Sequence, residues 1–230
     1  MIIINDLVAG YGSVKVLQNL SWKIETGKIH GLAGLNGSGK TTLLKTMFGL
    51  IKQMSGTLHF NDSSFSKKFI SYLETESYFY NGINGREYLS LFKSSDHFVF
   101  NTNEWASLFQ LPLDVLIDSY STGMKKKLSI LGIIKMNKSF MLLDEPYNGL
   151  DLESSRVLSA VLKRLKEEGK TIIITSHMLE SLTSLCDQIH YLKNGVIDKS
   201  YSPNDIAAMN SEIFRELDQH IHSKINELLN

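Results

Sequence analysis

A chain of 230 residues with 43% hydrophobic, 10% aromatic and 21% charged side chains has the composition of a folded globular protein with a sizeable core, which excludes disorder and low complexity. Its 24 basic and 24 acidic residues cancel, so no global field steers it onto nucleic acid or an anionic membrane, and no nucleic-acid partner is expected. The single cysteine, Cys186, can make no intrachain disulfide, which fits a reducing compartment and a buried structural thiol. The opening MIIINDLVAG lacks the basic start and long apolar stretch of a secretion signal, and no run of 18 apolar residues occurs. The chain is therefore expected not to span a membrane itself.

Taken in chain order, Ile2 to Val8 and Val14 to Ile24 are rich in β-branched and aromatic residues and bounded by glycine turns, which predicts antiparallel strands. Ile29 to Ala33 then meets a glycine-rich loop, and Thr41 to Leu50 resumes with helical spacing at Leu43, Leu44, Met47 and Phe48. Ser139 to Leu143 and Thr171 to Thr175 are apolar on both faces, as in central strands of a parallel sheet covered on each side by helices. Between them, Leu152 to Glu168 has helical spacing, and near the end Asn194-Gly195 suits a tight hairpin turn between two short apolar runs. Residues 211–229 read as an amphipathic helix whose stripe Ile213, Leu217, Ile221, Ile225 and Leu228 is either a partner-binding face or, the favoured reading, packs on its own core. The stretch from about 77 to 135 is mostly helical in pattern and holds no convincing buried strand. The expected fold is thus α/β, a parallel sheet flanked by helices with an antiparallel β subdomain and an inserted α-helical subdomain. One continuous domain, 1–230, is expected, its core about 1–76 and 136–230 and its helical subdomain about 77–135.

Gly34-Leu35-Asn36-Gly37-Ser38-Gly39-Lys40-Thr41-Thr42 satisfies the P-loop pattern G-x-x-x-x-G-K-[ST] between a strand and a helix. Glycines let successive backbone N–H groups converge on a triphosphate, and the helix N-terminus adds partial positive charge. Lys40, expected as an exposed loop lysine, reaches the β- and γ-phosphates; Thr41 offers a hydroxyl to Mg²⁺ and Thr42 one to an adjacent phosphate oxygen. A P-loop alone leaves kinases, GTPases and ATPases open. Phe140-Met141-Leu142-Leu143-Asp144-Glu145 narrows the choice, because an apolar strand ending in two carboxylates supplies a magnesium ligand in Asp144 and a proton acceptor for water in Glu145. Asn137-Lys138-Ser139-Phe140 departs from the guanine-reading N-K-x-D at its last position, which disfavours a GTPase.

In their order these motifs resemble the ATP-binding subunit of an ATP-binding cassette (ABC) transporter with a P-loop NTPase core, over nearly the whole chain. The resemblance implies that Tyr11 stacks on adenine with Val16 packed nearby. It places Tyr120-Ser121-Thr122-Gly123-Met124 at the family's L-S-G-G-Q signature, about 80 residues after the P-loop, in a Y-S-x-G-M-K form like that of type-2 exporters. Ser121 also reads as an N-cap for a helix beginning around Met124, with Gly123 allowing close approach. Asn148-Gly149-Leu150-Asp151 matches the D-loop and His177 the switch histidine. The Q-loop position falls on Thr75, within Tyr72-Leu73-Glu74-Thr75-Glu76, where the family has glutamine. Threonine is too short to span magnesium and water directly, so either a water bridges or Glu74 or Glu76 substitutes.

The resemblance implies a Mg-ATP hydrolase, peripheral at the cytoplasmic face of the cell membrane, that drives a separate permease. It also implies a homodimer, in which the signature of one ATP-binding subunit, Ser121 to Met124, closes over ATP held by the other. A soluble ABC ATPase acting on ribosomes or DNA, and an ATP-dependent clamp with little hydrolysis, are the rival readings. The resemblance implies that the permease docks beside the segment after the Q-loop, here Ser77 to Gly82, where three consecutive aromatics, Tyr78-Phe79-Tyr80, cannot all enter one core and at least one must be exposed.

Overall fold

Two sheets share one hydrophobic layer, and that layer follows from which residues alternate along the strands. The computed structural model describes residues 1–60, 63–64, 67–94, 98–176 and 179–202, with positions 205, 209, 211, 218, 225 and 227 of the tail. β1 (Ile2–Tyr11), β2 (Val14–Ile24), β4 (Ser55–Phe60) and β5 (Ser63–Ser64) form an antiparallel sheet in the order β2-β1-β4-β5. The second sheet, of six strands, has the order β10-β9-β3-β8-β7-β6 and comprises β3 (Ile29–Ala33), β6 (Ile70–Leu73), β7 (Phe140–Leu143), β8 (Thr171–Thr175), β9 (Gln188–Lys193) and β10 (Val196–Tyr201). Its strands run parallel except for the β9–β10 hairpin. That hairpin turns on Asn194 and Gly195, both in the left-handed region (φ 48° and 79°), as the Asn-Gly pair predicts.

Because side chains alternate across a strand, Leu32, Tyr72, Phe140, Leu142 and Ile173 face the antiparallel sheet and α1 (Lys40–Phe48), meeting Ile4, Leu20, Leu43, Leu44 and Met47. Met141, Leu143, Ile172 and Ile174 point the other way, into a cluster with Leu128, Leu131, Leu158 and Leu162. Those leucines come from α4 (Thr122–Lys135) and α5 (Leu152–Glu167), so the parallel sheet is buried on both faces. α6 (Leu179–Thr183) follows β8, and α1 ends at Gly49, whose left-handed backbone (φ 77°) caps it two residues after its last buried apolar side chain, Met47.

The 77–135 stretch holds α2 (Gly85–Ser90), α3 (Thr102–Leu108) and α4, joined by irregular segments, so it is less regular than its pattern predicts. β4 and β6 are not among the expected elements. β4 is exposed or half-buried at every position, and β6 is only four residues long with a buried serine, Ser71, in its middle. Of the expected tail helix, only scattered positions lie within the described residues, and Ile225 among them is exposed.

A buried polar chain crosses the parallel sheet. His30 on β3 and His190 on β9 are buried, their rings joined Nδ1 to Nε2 at 3.1 Å. Their tautomers follow by elimination. The Glu25 carbonyl only accepts, so His30 Nε2–H donates to it at 2.8 Å. His30 Nδ1 must then accept from His190 Nε2–H, and His190 Nδ1 accepts from the Ser200 hydroxyl at 2.7 Å. Trp22 packs edge-on against both rings. Burial, together with the neighbouring His30 ring, pushes His190 down to about 3, and burial lowers His30 as well. Since both folded values lie below the unfolded one, the unfolded chain takes up protons first. Stability is therefore complete above about pH 6.5 and falls as pH drops below it. Unfolding melts between pH 6.5 and 5 should show a loss approaching about 1.4 kcal/mol per pH unit from His190, with His30 adding to it in the same direction. The His190 imidazole signals in an NMR titration should stay fixed over the same range; a shift with a midpoint near 6 contradicts the pairing.

Candidate active site

The loop after β3 begins at a position where a side chain would collide. A Cβ on Gly34 would lie 2.4 Å from the Leu192 carbonyl oxygen and 2.7 Å from Ser38 Oγ. Gly39 caps α1 with φ 108°, and no side chain caps that helix, so its first turn and dipole could receive an anion. Lys40, expected exposed, is buried instead, because it is the first residue of α1 and its ammonium folds back to donate to the Gly34 and Leu35 carbonyls at 2.7 and 3.1 Å. Burial pulls Lys40 below the ordinary lysine range, and the facing Glu145 and Asp144 carboxylates oppose that shift.

At the end of β7, Thr175 organises both carboxylate residues. Its hydroxyl donates to Asp144 Oδ1 at 2.7 Å and accepts the Glu145 backbone N–H at 2.8 Å. Glu145 is held in the left-handed region at φ 50°, a conformation that costs a non-glycine residue of order 1–2 kcal/mol unless its surroundings enforce it. Thr175 went unrecognised in the sequence; its signal is a hydroxyl residue closing the apolar run Thr171 to Thr175, level with Asp144 on the neighbouring strand. Asp144 is buried, and its Oδ2 is left without a hydrogen-bond partner, as is the buried Ser38 Oγ. A buried polar atom without a partner costs about 1–3 kcal/mol. A phosphate over Ser38 and a hard cation on Asp144 would remove both deficits. Among the described residues no group of three His, Cys, Asp or Glu could hold a metal, so the protein donors on offer are Asp144 Oδ2 and the Thr41 hydroxyl.

These residues enclose a cavity of about 620 Å³. Of the expected residues it brings together Val16, Asn36, Gly37, Gly39, Lys40, Thr41, Thr42, Thr75, Asp144, Glu145 and Asn148. Ser38 is buried within the loop. Tyr11 does not line the cavity; it is exposed at the hairpin end of β1, paired with Val14. Thr75 occupies the wall where glutamine was expected, while Glu74 turns its carboxylate toward Lys45 on α1 at 3.9 Å. Neither Glu74 nor Glu76 lines the cavity. His177 lies outside the described residues.

The signature residues sit elsewhere. Ser121 is the N-cap of α4, as expected, accepting the Met124 N–H at 3.2 Å, and the helix starts at Thr122, two residues earlier than the expected start around Met124. Ser121, Thr122, Gly123 and Met124 do not line this chain's own P-loop cavity. A Cβ on Gly123 would meet the Gly149 carbonyl at 2.6 Å, so the close approach it permits is to the D-loop of the same chain. Lys127 adds a 2.9 Å ion pair to Asp151, which also caps α5 through the Ser154 N–H. That N–H and the Lys127 ammonium hold the Asp151 carboxyl below the usual carboxylate range.

Thr175→Val keeps the shape of the side chain and removes both hydrogen bonds, leaving Asp144 Oδ1 buried and bare. Denaturant melts of the nucleotide-free chain should show a loss of about 1–3 kcal/mol, with Thr175→Ser close to wild type. Equal stability of the valine variant would mean that Thr175 does not fix the carboxylates.

Residues 17–148 match the ABC transporter family profile. The chain is 33% identical over 210 residues to the ABC transporter ATP-binding protein YybJ of Bacillus subtilis, covering 87% of this chain and 96% of that protein. It is also 33% identical over 215 residues to ABC transporter G family member 23 of Dictyostelium discoideum, covering 87% of this chain but spanning only 30% of that longer protein's length. The dimeric, ADP- and Pi-bound structure of the ATP-binding cassette MJ0796 superposes with a TM-score of 0.76 at 18% identity, over 88% of this chain and 99% of that one, a likeness of fold. With a P-loop, paired carboxylates and signature helix arranged on this fold, the chain belongs to the ABC transporter family, as an ATP-binding cassette.

Proposed function

We propose that this cassette binds and hydrolyses Mg-ATP and thereby drives a separate membrane permease, in the direction of export. The observation that carries the reading is the single cavity that joins Lys40, Thr41 and Thr42 to Asp144 and Glu145. Lys40 and the first turn of α1 hold the phosphates, and the Thr41 hydroxyl and Asp144 Oδ2 would hold magnesium. When bound, that ion neutralises charge developing on the transferred phosphate. Glu145, fixed in place by Thr175, takes a proton from water as its oxygen attacks the γ-phosphorus and the bond to the β–γ bridging oxygen breaks. His177 is proposed to orient the γ-phosphate, Val16 and Tyr11 to flank the adenine, and Asn148 to face the reacting end.

Because Ser121 to Met124 stand away from this chain's own cavity, a second copy is proposed to present its signature helix there, as the dimeric form of MJ0796 makes plausible for this fold. Among the described residues no helix is long and apolar enough to cross a membrane. Tyr78 and Tyr80 are 74% and 56% exposed and stack edge-on against each other, while Phe79 turns inward onto Tyr88. The two exposed tyrosines are the proposed permease anchors, and the Y-S-x-G-M-K signature form supports export.

Glu145→Gln should keep nucleotide affinity and lower turnover by about 10²–10⁴, since a general base contributes that much while the phosphate loop is untouched. Wild-type turnover by this variant, measured with purified protein and Mg-ATP, rejects the assignment. Tyr78→Ala and Tyr80→Ala should each weaken co-purification with the permease, by about 1–2 kcal/mol where the ring is a central anchor, and leave the turnover of the isolated cassette unchanged. Full complex formation by both variants removes the docking claim.

A further inference from the structure

One buried cation is unused by the reading above, on which the following inference rests. Lys126, in the first turns of α4, is 7% exposed, and its ammonium donates to the Thr75 carbonyl at 2.9 Å and to the Glu74 carbonyl at 3.4 Å. A buried charge is retained only where acceptors compensate its desolvation, and here the acceptors are backbone atoms of the loop following β6. That loop has no regular structure of its own to fix it. It is gripped from two sides: the Glu74 carboxylate reaches Lys45 on α1, and the carbonyls of Glu74 and Thr75 seat Lys126 of α4.

The grip lies at a wall between two cavities. Thr75 and Asn148 line the nucleotide cavity, and the same two residues line a second one of about 400 Å³ that also includes Thr122, Phe79 and Lys126. Thr75 is too short to reach from the loop to the reacting phosphate and back to α4 as a longer side chain can. The contact to α4 runs instead through the backbone, with the long side chain supplied from the helix. Burial lowers Lys126 below the ordinary lysine range, and the Asp144 and Glu145 charges on the far side of the wall favour its charged form.

We propose that Lys126 is a positioning residue for ATP hydrolysis: seated on the Glu74 and Thr75 carbonyls, it makes the loop that walls the nucleotide cavity follow the signature helix. It does not line the nucleotide cavity. Its effect therefore falls on turnover and on the loop, and not on nucleotide affinity.

The test uses the full chain. Lys126→Met, of similar length and without charge, should lower kcat by about 10- to 100-fold while the affinity for ATP stays within about twofold. Hydrogen exchange of the nucleotide-free protein should show lost protection confined to residues 74–80, with α1 and β7 unchanged. Lys126→Arg, which keeps charge and donors, should restore both readouts, whereas Lys163→Met, at an exposed position of α5, should alter neither. Unchanged exchange at 74–80, or an altered loop with unchanged kcat, overturns the proposal. If Lys126→Met unfolds, Lys126→Gln is read by the same two measurements. Absence of ATP turnover in the wild-type chain would refute the hydrolytic reading itself, a result separate from any difference between the variants.

Discussion

The register of three neighbouring parallel strands governs everything at the phosphate-loop end of this molecule. Leu143 lies opposite Ile174, which brings Asp144 level with Thr175, and Thr175 in turn lies opposite Leu32, one residue short of the end of β3. The P-loop, the carboxylate pair and the organising hydroxyl therefore emerge at one height, at the carboxyl ends of adjacent strands. A slip of one residue between β7 and β8 would turn Ile172 and Ile174 out of their cluster and carry Thr175 away from Asp144 together. The packing of the core and the chemistry of the site are consequences of a single alignment.

The antiparallel sheet contributes differently. It does not supply the carboxylates; it covers the face of the parallel sheet on which α1 lies, so that Leu43, Leu44 and Met47 are clamped between two layers. Holding α1 in this way fixes the direction in which its uncapped first turn points. The opposite face of the parallel sheet is left to α4 and α5, and α4 is the element that touches both irregular walls of the site. Lys126 reaches the loop after β6, while Gly123 and Lys127 meet the D-loop.

Much of this was legible in the sequence because it depends on periodicity or on steric necessity. Ile29 to Ala33 and Thr171 to Thr175 are apolar at every position or nearly so, as strands buried on both faces must be, and their bounds coincide with the observed ones. The glycines of the phosphate loop, Asn194-Gly195 and the cap at Ser121 announce backbone conformations that few other residues allow. What escaped detection has no such periodic signature. β6 is four residues long, and its Ser71 interrupts the apolar run that would have revealed it. The burial of Lys40 and Lys126 depends on carbonyls supplied by other parts of the backbone, and charge alone suggests exposure. The paired histidines, 160 positions apart in the chain, become neighbours only through the strand order β9-β3.

The contact between Gly123 and Gly149 is one of backbone against backbone. Its closeness leaves no room for a methyl group on one side, and the left-handed turn at Gly149 (φ 80°) disfavours one on the other. Neither partner can therefore adjust to the other by changing a rotamer. Any residue larger than glycine at position 123 must push the D-loop away from the signature helix. A chimera whose grafted helix carries a side chain there inherits a displaced seam at the edge of the nucleotide cavity.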